Sequence, residues 1–125
     1  MLDPETRQRW RTNWIDCLRE LADIEYQRST WLSTKPLSAH YTFVEFVECY
    51  YDTITHLGYD ELVRRCVVTA AEAQTVMRFH HLLEKYEPPN DDPYAVDAIL
   101  TDPNWHTVVD AASEALNQLQ KQIAG

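Results

Sequence analysis

Glycine occupies only two of the 125 positions, Gly58 and Gly125, and that scarcity restricts the fold more than any other feature of the chain. Glycine-rich phosphate loops, the dinucleotide-binding fingerprint and most tight β-hairpin turns need glycine, because the backbone there takes positive φ or approaches a ligand closely. Nucleotide-binding α/β folds and hairpin-rich β folds are therefore disfavoured. No segment sustains the period-two alternation of a half-buried strand, so the expected class is all-α.

Helix punctuation supports that reading. Asp3-Pro4 couples an N-cap to a proline at the first helical position, where the missing N–H costs nothing. Trp10, Trp14, Cys17, Leu21, Ile24 and Trp31 then recur on one face of a single helix predicted to run to about residue 32, and Ser33-Thr34-Lys35-Pro36 ends it. A second helix is expected to start between Ser38 and Thr42, with Thr42-x-x-Glu45 as a capping box. Its apolar face reads as Val44, Val47, Tyr51, Ile54 and Leu57, with Phe43 and Tyr50 at the edge and Gly58 as a left-handed C-terminal cap. A short helix spans Asp60 to Val67. A second capping box, Thr69-x-x-Glu72, opens a helix to about Tyr86 with Ala73, Val76, Met77, His80 and Leu83 inside.

Glu87-Pro88-Pro89-Asn90-Asp91 is the clearest loop. Asp92-Pro93 and Asp102-Pro103 repeat the Asp-cap and Pro-start device, predicting a short helix from Tyr94 to about Leu100 and a long final one. That last helix carries a stripe of Trp105, Val108, Val109, Ala112, Leu116, Leu119 and Ile123. The expected architecture is one domain over residues 1–125, a helical bundle of about four longer and two short helices.

Hydrophobic content of 45% with four Trp, seven Tyr and three Phe belongs to a globular chain. Cys17, Cys49 and Cys66 are odd in number and widely spaced, which reads as reduced, buried thiols. The N-terminal residues lack a basic stretch followed by an apolar run, and no apolar stretch reaches membrane-spanning length, so a cytoplasmic protein without membrane contact is expected.

Charge carries the strongest functional signal. Residues 86–120 hold seven acids (Glu87, Asp91, Asp92, Asp97, Asp102, Asp110 and Glu114) and no Lys or Arg, within a formal net charge of −9. Direct binding of nucleic acid is disfavoured, because it depends on Lys and Arg neutralising phosphates. A basic protein partner is favoured instead.

Several constellations invite chemistry, and each has a stronger structural account. Glu45, Glu48, Asp52 and His56 line one face of the second helix, but the Glu-x-x-His pairs of two-metal carboxylate bundles are missing from the whole chain. His80-His81 with Glu84 resembles an acid–base group, yet adjacent helical residues point about 100° apart, so one histidine suits the core edge and the other solvent. Cys49 beside Glu48 and Cys66 beside Arg65 lack the positioned base that a nucleophilic thiol needs. Arg7, Arg9 and Arg11 read as a solvated face ion-paired to the acidic segments.

These observations rank a protein-binding module above an enzyme. The expected activity is that of an immunity or antitoxin-type inhibitor that neutralises a basic bacterial toxin such as a nuclease, working without a cofactor. Glu45, Glu48 and Asp52 on the second helix, and Glu87, Asp91, Asp92 and Asp97 around the proline loop, are the expected charged contacts. Tyr50, Tyr86 and Tyr94 are the expected aromatic anchors. The alternatives are a small helical enzyme using His80, His81 or His56 beside a carboxylate, and a structural homo-oligomer.

Overall fold

The computed structural model describes residues 3–32, 42–54 and 58–124. Among them are seven α-helices and no strand: α1 (Pro4–Leu21), α2 (Ile24–Trp31), α3 (Phe43–Ile54), α4 (Gly58–Arg64), α5 (Ala70–Lys85), α6 (Val96–Leu100) and α7 (Pro103–Ala124). The chain is thus an all-α helical bundle. The predicted Ser33–Pro36 loop, the Ser38 start, His56 and Leu57 lie outside the described residues.

Local capping chemistry sets most of the helix starts. Asp3 accepts from the Thr6 N–H at 2.8 Å. Thr69 and Glu72 form the complete reciprocal box at α5. Asp102 Oδ1 accepts from the Asn104 N–H at 3.0 Å at the head of α7. At α3 the Glu45 carboxylate accepts from both the N–H and the hydroxyl of Thr42. Asp92 departs from expectation: its carboxylate accepts from the Tyr94 N–H at 3.0 Å, an Asx turn, while the helix begins only at Val96 behind Ala95.

The predicted single N-terminal helix is two. α1 stops at Leu21, and Asp23 takes an extended conformation and caps α2 by accepting from the Tyr26 N–H at 3.0 Å. The break is held from inside by Gln27, which is fully buried. Its Nε2 donates to the carbonyls of Glu20 at 3.0 Å and Leu21 at 3.1 Å, in the last turn of α1 where the regular helical ladder runs out. Its Oε1 accepts from Trp105 Nε1 at 2.9 Å, tying α2 to α7.

One hydrophobic cluster serves all seven helices. α7 packs on α5 and α1, α1 also packs on α3, and α6 bridges α2 and α7. Of the α7 stripe, Trp105, Val108, Val109, Ala112 and Leu119 are buried, Leu116 is half-buried and Ile123 is exposed. On α3 the buried face is Phe43, Phe46, Tyr50 and Ile54, so the expected face is rotated: Val44, Val47 and Tyr51 sit half-buried at its flank. Aromatic packing draws this face inward, with Phe43, Phe46 and Trp105 rings all within 6.0 Å of the Trp31 ring.

Arg11 corrects the reading of the N-terminal arginines as a solvated row. Its guanidinium is half-buried and forks onto both oxygens of Glu72, and it also donates to the Val67 carbonyl at 3.1 Å. Glu72 is 4% exposed and simultaneously caps α5, so one carboxylate fixes α1 to the start of α5. The Arg11 hydrogen bond holds that carboxyl below its usual range, against the opposing effect of burial.

Candidate functional site

α1 and α3 lie against each other, and their outer flanks enclose a cleft of about 750 Å³. Asp16 and Glu20, one turn apart, supply carboxylates from α1; Glu45, Glu48 and Asp52 supply three more from α3. Trp10 and Asn13 extend the α1 wall, and Cys17 and Cys49 meet between the helices. Among the described residues no Lys or Arg lines the cleft; Arg19, at 3.4 Å from Asp16, offsets one carboxylate at its edge.

Five acids in one concavity repel one another and attract cations. The Glu20 carboxyl is raised above its usual range, first by burial and then by the charge of Asp16. Glu45 is partly committed, since it caps α3 through Thr42. Glu48 and Asp52 are exposed, so a ligand can reach them without disturbing the fold.

The expected contacts therefore divide. Glu45, Glu48 and Asp52 share the cleft, while Glu87, Asp91, Asp92 and Asp97 do not line it. Glu87 borders a separate hollow of about 350 Å³ that includes Lys85, and Asp91, Asp92 and Asp97 are exposed around the proline loop. Tyr94 is 65% exposed and remains available. Tyr50 is not available: it is completely buried. Tyr86 is also spoken for, with its ring against Phe43 and Trp105 and its hydroxyl donating to Asp102 at 2.9 Å. Burial and that carboxylate push the Tyr86 phenol well above its usual range. Asp16 and Glu20 were missed. Their i,i+4 spacing is visible in the sequence, but only the register of α1 against α3 places them opposite Glu48 and Asp52.

The histidine pair has a structural setting. Trp14 Nε1 donates to the Tyr59 hydroxyl at 2.9 Å; Tyr59 and Tyr50 hydroxyls are 2.8 Å apart; Tyr50 is 2.9 Å from His80 Nδ1; and His80 Nε2 is 2.5 Å from Glu84. Indole can only donate, so every group is satisfied when Tyr59 donates to Tyr50, Tyr50 donates to Nδ1, and the Nε2–H donates to Glu84. This arrangement requires neutral His80. Burial lowers the His80 pKa, His81 adds to that effect and Glu84 opposes it. His81 is exposed.

Among the described residues, no group of three or more His, Cys, Asp or Glu side chains is placed to hold a metal ion, and no helix is long and apolar enough to cross a membrane. No curated protein and no solved structure matches the chain. Residues 6–124, which include every helix from the first turn of α1 to the end of α7, match a family described as a domain of unknown function (DUF7945), and the chain belongs to that family.

Proposed function

We propose that the chain is a protein-binding module whose α1–α3 cleft receives a basic segment of a partner protein. The observation that carries this reading is the convergence of Asp16, Glu20, Glu45, Glu48 and Asp52 from two helices on one concave surface that, among the described residues, no Lys or Arg lines. Charge of one sign focused in a cleft speeds the encounter with an oppositely charged surface, and a few desolvated side chains then set residence time. Trp10, half-buried at the cleft wall, is the apolar anchor within reach of such a segment.

The partner class we propose is a basic bacterial toxin, with the chain acting in the cytoplasm as an immunity or antitoxin-type inhibitor. A toxin that works on nucleic acid needs a basic active surface, and an acidic cleft covers such a surface by charge complementarity.

The test is capture from a lysate of the source cells at low salt, using the native chain and a Glu48→Lys, Asp52→Lys double variant as baits. The expected result is a basic protein held stoichiometrically by the native bait and released by salt, lost from the variant, and able to arrest growth when expressed without the native chain. Identical captures by both baits would contradict it.

A further inference from the structure

The two thiols inside the cleft form a chemical unit that charge recognition does not require. Cys17 Sγ and Cys49 Sγ are 3.1 Å apart, closer than ordinary van der Waals contact between sulfurs, and they come from different helices 32 positions apart in the chain. Cys17 is 4% exposed and Cys49 is exposed, so an external reagent meets Cys49 first and Cys17 only through it. Cys66 is also exposed but does not border the cleft.

We propose that Cys17 and Cys49 are a reversible disulfide site, and that its oxidant is a small cationic disulfide drawn in by the surrounding carboxylates. The site goes beyond the binding reading and does not depend on it. In the first step the Cys49 thiol gives its proton to solvent, and its sulfur attacks one sulfur of the reagent. The reagent's S–S bond breaks, one half leaves as a thiolate that takes up a proton, and the other half stays on Cys49. In the second step the Cys17 thiol loses its proton and attacks the Cys49 sulfur, expelling the remaining half as a thiol. Two protein thiols are oxidised to one disulfide and one reagent disulfide is reduced to two thiols.

Geometry and charge set the order and the selectivity. Burial pushes the Cys17 thiol well above its usual range, and the contact with Cys49 and the charges of Glu20 and Asp16 push it the same way, so Cys17 serves as the resolving thiol. Glu48 and Asp52 flank Cys49 within the cleft, and their charge repels anionic reagents while attracting cationic ones. The resulting bond joins α1 to α3 along the cleft they form, closing a long loop in the unfolded chain and fixing the spacing of the two walls.

The experiment uses the reduced native chain with cystamine, a dication, or oxidised glutathione, an anion at neutral pH, each at low and high salt. Peptide mapping and titration of remaining thiols follow the reaction. The expected result with cystamine is a linked Cys17–Cys49 peptide in the monomer, formed at least ~10-fold faster than with oxidised glutathione at low salt, the gap narrowing at high salt. Cys66 ends as a simple adduct, and the melting temperature rises by roughly 10 °C, reversed by a thiol reductant. A lasting adduct on Cys49 with Cys17 still free overturns the disulfide. Equal rates for the two reagents at low salt overturn the charge selectivity.

Discussion

His80 shows how a single protonation can be opposed by groups far from the ring. With a proton on both nitrogens its Nδ1–H must donate to Tyr50, Tyr50 must then donate to Tyr59, and the Tyr59 hydroxyl, already accepting from Trp14, keeps a buried hydrogen with nowhere to go. Burial pushes the Tyr59 phenol up to about 12, so it does not escape by ionising. The groups facing His80 are Tyr50 and Tyr51 from α3, Tyr59 from α4, and His81 and Glu84 from its own helix. Its folded pKa lies below the unfolded value of about 6.5, so its contribution to stability is complete above that pH and is lost as pH falls through the folded value. Urea unfolding at pH 7.5 and pH 5.5 should therefore show a larger acid-side loss for the native chain than for His80→Gln, whose amide oxygen can still accept from Tyr50. Equal losses would remove His80 from the pH response.

At the scale of elements, the end of α4 is unusual in its chemistry. Val67 N–H donates to the Leu62 carbonyl and Cys66 N–H to the Val63 carbonyl, both at 3.0 Å, which is the Schellman pattern. The residue at the left-handed position is Cys66, with φ 64°, where glycine is the usual occupant. Cys66→Gly should stabilise the chain by about 1 kcal/mol, the left-handed penalty less the greater freedom glycine brings to the unfolded chain. A rise in the thermal midpoint checks it, and a fall would mean that the exposed thiol makes a stabilising contact. Gly58 does have positive φ, 77°, but as the opening residue of α4.

The starts of α1, α5 and α7 were legible because Asp3-Pro4, the Thr69–Glu72 box and Asp102-Pro103 act within a few residues of themselves, whereas Asp92-Pro93 closes a turn instead. The α1–α2 break was not, because Leu21-Ala22-Asp23 contains neither Gly nor Pro and the apolar stripe runs through it unbroken. What decides the break is Gln27 reaching Trp105, a contact 78 positions away in the chain. The α3 face was displaced for a similar reason: Val44 and Val47 fit a helical period as well as Phe43 and Phe46 do, and the aromatic partners on α2 and α7 select the latter.

Across the whole molecule, charge is distributed in two ways with different meanings. The acids of residues 86–120 dominated the sequence, yet Asp102 caps α7 and holds Tyr86, Asp92 closes a turn, and none of the seven lines the α1–α3 cleft. The cleft takes two of its five acids, Asp16 and Glu20, from α1, where nearby arginines mask them in any count along the chain. Net charge was therefore readable from composition, while the place where charge converges depends on which helix faces pack.

A comparison at matched net charge separates the two distributions. An arginine-rich helical peptide is titrated calorimetrically at low salt into the native chain, a Glu48→Lys, Asp52→Lys cleft variant, and an Asp91→Lys, Asp97→Lys variant of the same net charge. The cleft variant is expected to bind at least ~10-fold more weakly, while the proline-loop variant stays within about 2-fold of native. Equal weakening in both variants would show that the peptide senses only total charge, and would contradict the cleft as the binding site.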